Sequence, residues 1–211
     1  MNMDVSVSTN AGLEVRPAKP DDQGPISELM YSSGAGIYDY LHGNRSNALD
    51  YIERELALGL GLCARKRLTV AVRNGKVVAT GTFYDRTGYR ALSAQTPLAM
   101  MRHYGLGFLP RLQRAIDTTQ LVTSLKPDEL YLANFGVMPE MRGTGIGTQL
   151  LQTRIAEARQ SGYRIVSLDV ETHNGKAEAL YQRLGFVITG SKAMKGRDGK
   201  EYACKKMELF L

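Results

Sequence analysis

Val137-Met138-Pro139-Glu140-Met141-Arg142-Gly143-Thr144-Gly145-Ile146-Gly147 joins a strand to a helix through three alternate glycines. Tyr131 to Val137 reads as a buried strand, and Pro139 ends its ladder because proline has no N–H to donate. From Gly145 to Arg159, Leu150, Leu151, Ile155 and Ala158 fall on one helical face. Glycine carries no Cβ, so an anion can approach this backbone closely. The first turn of the helix offers unpaired N–H groups and the positive end of its dipole. Together these predict a phosphate cradle. Hydrogen bonds to a charged group contribute about 1.5–3 kcal/mol each, so a few amides can anchor a pyrophosphate without a metal. Spacing excludes two other phosphate loops. A P-loop needs G-x-x-x-x-G-K-[ST], whereas Gly147 is followed by Thr148-Gln149. A dinucleotide fingerprint needs G-x-G-x-x-G in an early βαβ unit, and this turn is G-x-G-x-G, late in the chain.

Downstream, Tyr163 to Val170 reads as a strand and Asn174 to Leu184 as a helix, with Ala177, Leu180, Tyr181 and Leu184 on one face. Phe186 to Met194 and Tyr202 to Phe210 are two more strands, joined by the turn Arg197-Asp198-Gly199-Lys200. Upstream, Leu13 to Arg16 alternates like a strand. Pro20-Asp21-Asp22 starts a helix around Ile26 to Tyr31, which Ser32-Ser33-Gly34-Ala35-Gly36 breaks. A second helix begins near Asn47 and runs through Leu56. Leu68 to Val72 and Val77 to Tyr84 form a hairpin, where Asn74-Gly75 accommodates the positive φ of a type I′ turn. Asp85 to Asp128 holds Pro97, Pro110 and Pro127 and two helical patterns, Pro97 to Tyr104 and Leu109 to Leu125. It reads as a helical insertion. The polar start, Met1 to Gly12, reads as a flexible tail, leaving 13–211 as one domain.

At 211 residues, with 43% hydrophobic and 23% charged residues, the chain is of ordinary globular composition, which excludes collagen-like and wholly disordered readings. The formal charge of +6 suits an anionic partner. Cys63 and Cys204 are the only cysteines, with no CxxC and no Cys/His cluster, so no metal site is expected and two free thiols are. The start lacks the basic and apolar regions of a signal peptide. The longest apolar run, Leu56 to Ala64, is about half of the ~18 residues that suggest a membrane span. A cytoplasmic protein is expected.

At the glycine turn the chain resembles the GNAT superfamily of acetyl-CoA-dependent N-acetyltransferases. The signature R/Q-x-x-G-x-G/A reads here as Arg142 to Gly147, with Val137 and Pro139 where the family often has V-x-P. A second block, N-x-x-A-x-x-L-Y-x-x-x-G-F, reads as Asn174, Ala177, Leu180-Tyr181 and Gly185-Phe186. The resemblance is firm from Leu130 to Ile188, rests on element order from Leu13 to Tyr84, and does not extend to Asp85–Asp128. It implies an α/β fold: a mixed, mostly antiparallel six- to seven-stranded sheet with helices on both faces. It implies acetyl-CoA as cosubstrate, bound by Val137, Arg142, Gly143, Thr144, Gly145, Ile146, Gly147, Thr148, Asn174 and Tyr181. The pantetheine arm is expected to pair with main chain at Val137, in a gap opened by a bulge beside Gly136-Val137.

Acyl transfer from a thioester to an amine needs a base for the amine and an acid for the leaving thiolate. The resemblance makes Tyr181 the acid. Many members carry a glutamate base where this chain has Tyr131. A subset has Leu-Glu-Val on the next strand, here Leu168-Asp169-Val170, which makes Asp169 the first candidate; Glu129, Glu171, His173 or a water chain are alternatives. The expected partner is an amine-bearing small molecule or peptide, without nucleic acid or membrane, and with a homodimer left open. Tyr31, Tyr38, Tyr40, Met100, Met101, His103 and Tyr104 are candidates to wall the acceptor pocket. A silent acyl-CoA-binding module is the alternative function, since Tyr131 cannot act as a carboxylate. A nucleic-acid-binding protein is a weaker one, with Arg65-Lys66-Arg67 the only tight basic run.

Overall fold

The computed structural model describes residues 8–10, 12–122 and 124–211. Its strands are β1 (Ser8–Asn10), β2 (Leu13–Pro17), β3 (Leu68–Arg73), β4 (Lys76–Asp85), β5 (Glu129–Val137), β6 (Ile165–Glu171), β7 (Val187–Lys195) and β8 (Glu201–Phe210). They form one sheet in the order β1-β2-β3-β4-β5-β6-β8-β7. β5 and β6 run parallel, and the other neighbours are antiparallel. This is the mixed, mostly antiparallel sheet expected. All seven expected strands are present, and β1 adds an eighth by pairing with β2 across Gly12. Of the expected tail, residues 1–7 and 11 lie outside the described residues.

The helices are α1 (Gln23–Ser33), α2 (Ala35–His42), α3 (Arg45–Leu58), α4 (Arg86–Ser93), α5 (Thr96–Tyr104), α6 (Phe108–Thr118), α7 (Ile146–Gln160) and α8 (Gly175–Arg183). Three details depart from expectation. The chain does break at Gly34, but it resumes at once as α2, because the Gly34 carbonyl accepts the Tyr38 N–H at 3.0 Å. α4 was hidden because it buries only Gly88 and Leu92; the Asp85 side chain caps it by accepting the Gly88 N–H. α6 stops at Thr118, not Leu125. Leu121 and Leu125 mimic helical spacing but lie beyond the helix, and both are buried there. The Leu121 carbonyl accepts from Cys204 Sγ at 3.3 Å.

α7 and α8 cover one face of the sheet. Leu150, Leu151, Tyr181 and Phe186 pack there on Phe83, Leu130, Leu132, Leu168 and Met207. Burying a leucine such as Leu150 stabilises the fold by about 1.5–3 kcal/mol. α1 and α3 cover the other face, setting Ile26, Leu29, Met30, Ile52 and Leu56 against Val70 and Val72. The insertion adds a smaller cluster of Tyr84, Leu92, Leu125 and Tyr131.

Two features open the centre of the sheet. Parallel pairing of β5 with β6 stops at Leu132↔Leu168, although β5 continues to Val137 and β6 to Glu171. The strands therefore part beyond that pair. In β4–β5, Thr82 pairs with Ala133 but Thr80 pairs with Gly136, so Asn134 and Phe135 together oppose Gly81. That is a bulge, and Asn134 takes a φ of 50°, a conformation asparagine tolerates better than most residues. Its Oδ1 accepts from the Tyr38 hydroxyl at 2.9 Å, and its Nδ2 donates to Thr82 Oγ1 at 3.4 Å.

The bulge thus lies at Asn134-Phe135, directly beside Gly136-Val137 as expected, although its residue of positive φ is Asn134 and not the glycine. Gly136 is needed for a different reason. A Cβ there would stand 2.5 Å from the Leu29 carbonyl oxygen, where α1 crosses β5. We expect Gly136→Ala to push α1 off the strand and to destabilise the protein by about 1–3 kcal/mol, the scale of overpacking. Thermal or urea denaturation reads this directly, and unchanged stability would show that α1 yields freely.

Candidate active site

The turn after β5 begins with one 3₁₀ turn, Pro139–Met141, in which the Arg142 N–H bonds the Pro139 carbonyl at 3.3 Å. Gly143 and Gly145 follow with φ of 76° and 86°. No atom lies within 4 Å of where a Cβ on either would sit, so the turn is open on that side. The amides of Gly143, Thr144 and Gly145 have no acceptor among the described residues, and no side chain caps α7. Thr144 Oγ1 donates to the Met141 carbonyl at 2.7 Å, and Arg142 Nε to the Val137 carbonyl at 3.0 Å, which ties the turn to the strand end. This set of free N–H groups at a helix start fits an anionic pyrophosphate.

Three residues of the expected set have structural roles here. The Arg142 amide is already bonded, so the free amides begin at Gly143. A Cβ on Gly147 would lie 3.1 Å from both Phe135 and Val137, so the third glycine lets α7 pack on β5. Asn174 caps α8, its Oδ1 accepting the Ala177 N–H at 3.2 Å. Ile146 anchors the first turn of α7 in the core, and Thr148 lies in the same turn.

Tyr181 and Asp169 stand on opposite faces of the sheet where β5 and β6 part. Tyr181, on α8, is buried against Phe135 and Phe186, with ring centroids 6.3 and 5.8 Å away. Its hydroxyl has no hydrogen-bond partner among the described residues. Burial holds the phenol above its usual range, so it stays protonated and able to donate.

Asp169 is the first β6 residue beyond the last β5–β6 pair. Alternation along the strand sets it opposite the buried Leu168 and Val170, on the insertion side. Its Oδ2 accepts from the Tyr131 hydroxyl at 2.9 Å, while Oδ1 is buried without a partner. Burial pushes the carboxyl up to about 6, against the opposing influence of the Tyr131 hydrogen bond, Lys206 and Lys192. It is therefore mostly ionised at neutral pH, yet basic enough to take a proton.

The alternatives are less suited. Glu129 is fully buried and already engaged by Ser167 Oγ, by the Lys126 N–H at 2.8 Å and by Lys206 Nζ at 3.0 Å. Glu171 and His173 are exposed at and beyond the end of β6. Of the expected pocket residues, only Tyr38 reaches the bulge, through Asn134. Tyr104 stacks on Tyr51 and bonds His42, His103 packs on both tyrosines, Tyr40 and Tyr31 bond Asp117 and Asp39, Met100 is core, and Met101 is exposed. The link from Tyr131 to Asp169 and the role of Asn134 were not read from the sequence. Cys63 and Cys204 are free and buried. Among the described residues, no helix is long and apolar enough to cross a membrane, and no group of three His, Cys, Asp or Glu could hold a metal ion.

The strand that parts from its parallel neighbour thus lies beside a set of free amides, and comparison with known proteins names the class of the chain. The chain matches the acetyltransferase (GNAT) family over residues 38–186 and belongs to it. The match runs through the insertion, where no resemblance was legible. The L-methionine sulfoximine/L-methionine sulfone acetyltransferase of Pseudomonas paraeruginosa is 38% identical over 61 residues, 29% of this chain and 36% of that protein. The mycothiol acetyltransferase of Paenarthrobacter aurescens is 40% identical over 68 residues, 32% of this chain and 20% of that protein. These matches thus span roughly a third or less of the curated relatives' own lengths. An N-acetyltransferase of Staphylococcus aureus shares the fold with a TM-score of 0.66 at 21% identity, over 92% of this chain and 99% of that one. YncA of Salmonella typhimurium, solved with its cofactor acetyl-CoA, does so with a TM-score of 0.54 at 21% identity, over 95% and 94%.

Proposed function

We propose that this protein transfers an acetyl group from acetyl-CoA to an amine by direct attack of the amine on the thioester. The observation that carries this reading is Asp169 at the mouth of the β5–β6 gap, with one carboxylate oxygen bonded and the other free. Acetyl-CoA supplies the activated acetyl group. The free amides from Gly143 to Thr148 hold the pyrophosphate, and the main chain near Val137 pairs with the pantetheine arm. Asp169 Oδ1 takes the proton of the attacking amine. Tyr181 donates its proton to the departing thiolate from the other side of the sheet. The acceptor is an amine-bearing small molecule or peptide, and the small-molecule substrates in the relatives' names favour the former.

Thiol release from acetyl-CoA across a panel of amines tests the reading, and acceptor-dependent release is expected. Tyr131 at the family's glutamate position favours one other reading, a silent acyl-CoA-binding module. A rise in Tm with CoA but no release with any amine would establish that module instead. The pH dependence has a definite sign. Asp169 acts when charged, so kcat/KM should rise with pH through about 6, the value its burial sets. Asp169→Asn should remove that ascending limb, and a superimposable profile would exclude Asp169 as the base.

A further inference from the structure

We infer that Tyr131 is the positioning residue of the base: its hydroxyl fixes Asp169 through Oδ2 and leaves Oδ1 as the lone pair presented to the amine. This rests on the reading of Asp169 as the base. Tyr131 occupies the β5 position at which the resemblance expects a carboxylate. Tyr131 is 7% exposed, and its ring is held edge-on by Tyr89, at 6.0 Å and 82°, within the cluster that includes Tyr84 and Leu125. A buried ring held on several sides brings its hydroxyl to one place. Burial and the nearby Asp169 charge push the phenol well above its usual range, so it remains a donor.

The groups facing Asp169 are Tyr131 and Glu129 from β5, Tyr89 from α4, Lys192 from β7, and Lys206 and Cys204 from β8. Among these, Tyr131 makes the hydrogen bond to the carboxylate. Lys206 Nζ is drawn instead to Glu129 and Glu208, 3.0 Å from each, and Lys192 Nζ donates to the Val122 carbonyl at 3.0 Å. The two lysines therefore favour the Asp169 charge from a distance, and Tyr131 sets its orientation. A carboxylate at residue 131 would have done the chemistry itself. A tyrosine there moves the basic atom to the next strand while keeping it at the edge of the gap.

Tyr131→Phe keeps the ring in its cluster and deletes the donor. Because that donor stabilises the charged carboxylate, its loss should raise the basicity of Asp169. The ascending limb of kcat/KM should then move toward alkaline pH by about one unit, the scale of a hydrogen bond to a charged group. The KM for acetyl-CoA should not change. In the Asp169→Asn background, adding Tyr131→Phe should have no further effect on rate, since Tyr131 acts through Asp169. A carbon-13 titration of the Asp169 carboxyl in both proteins reads the same displacement without turnover. If Asp169→Asn abolishes the limb but Tyr131→Phe leaves it in place, the positioning role is overturned and the base stands. If Asp169→Asn keeps the limb, the base reading and the positioning role fall together.

Discussion

Tyr181→Phe is expected to lower kcat by about 10²-fold or more, the scale of a lost general acid, with CoA affinity nearly unchanged. The ring contacts with Phe135 and Phe186 persist in the variant, so the packing of α8 on the sheet is retained. The hydroxyl has no protein partner to orphan among the described residues, so its removal leaves no buried group unsatisfied. Stability should therefore hold, and the loss should appear in turnover alone. The sign of the pKa displacement agrees. A phenol held above its usual range is protonated across the neutral region, so it serves as a donor and not as a base. Steady-state kinetics with a good acceptor, beside a thermal-shift titration with CoA, separates the two effects. Turnover within about twofold of the parent protein, far below the scale of a lost acid, would return Tyr181 to the core.

The elements that were legible from sequence carry their information locally. α7 announces itself by Leu150, Leu151 and Ala158 on one face and by the glycines before it. The β3–β4 hairpin does so by Asn74-Gly75, and Asn74 indeed has a φ of 51°. What was not legible depends on register between strands distant in sequence. Asp169 could be placed on a strand, but its side-chain direction follows from the pairing of Leu132 with Leu168. Tyr131 reads as a missing carboxylate in isolation; only the parallel alignment of β5 with β6 shows that its hydroxyl meets Asp169. The residue that makes the bulge was hidden for the same kind of reason. Glycine at 136 marked its place, but the residue with positive φ is Asn134, and Gly136 itself answers to the approach of α1. α4 escaped because its start is fixed by Asp85, a capping group in the preceding strand, with few apolar residues to mark a face.

Gly145→Asp is expected to weaken CoA binding by about 10³-fold, the loss of two charge-assisted hydrogen bonds of ~2 kcal/mol each. Gly145 is the N-cap residue of α7, with φ of 86° and ψ of −6°, and open space where a Cβ would point. A carboxylate there sits among the amides offered to the pyrophosphate and repels it. The same carboxylate complements the positive end of the helix dipole, so the fold should tolerate it apart from backbone strain. That contrast gives the test its control. Gly145→Asn imposes the same positive φ on a residue that accepts it more readily, with nearly the same shape and no charge. Its loss of affinity should be about tenfold or less, roughly 1.4 kcal/mol. Calorimetric titration of both variants with CoA, after circular dichroism confirms folding, measures the difference. Equal losses in the two would assign the effect to backbone strain, and an unchanged affinity in the folded aspartate variant would remove the pyrophosphate from this turn.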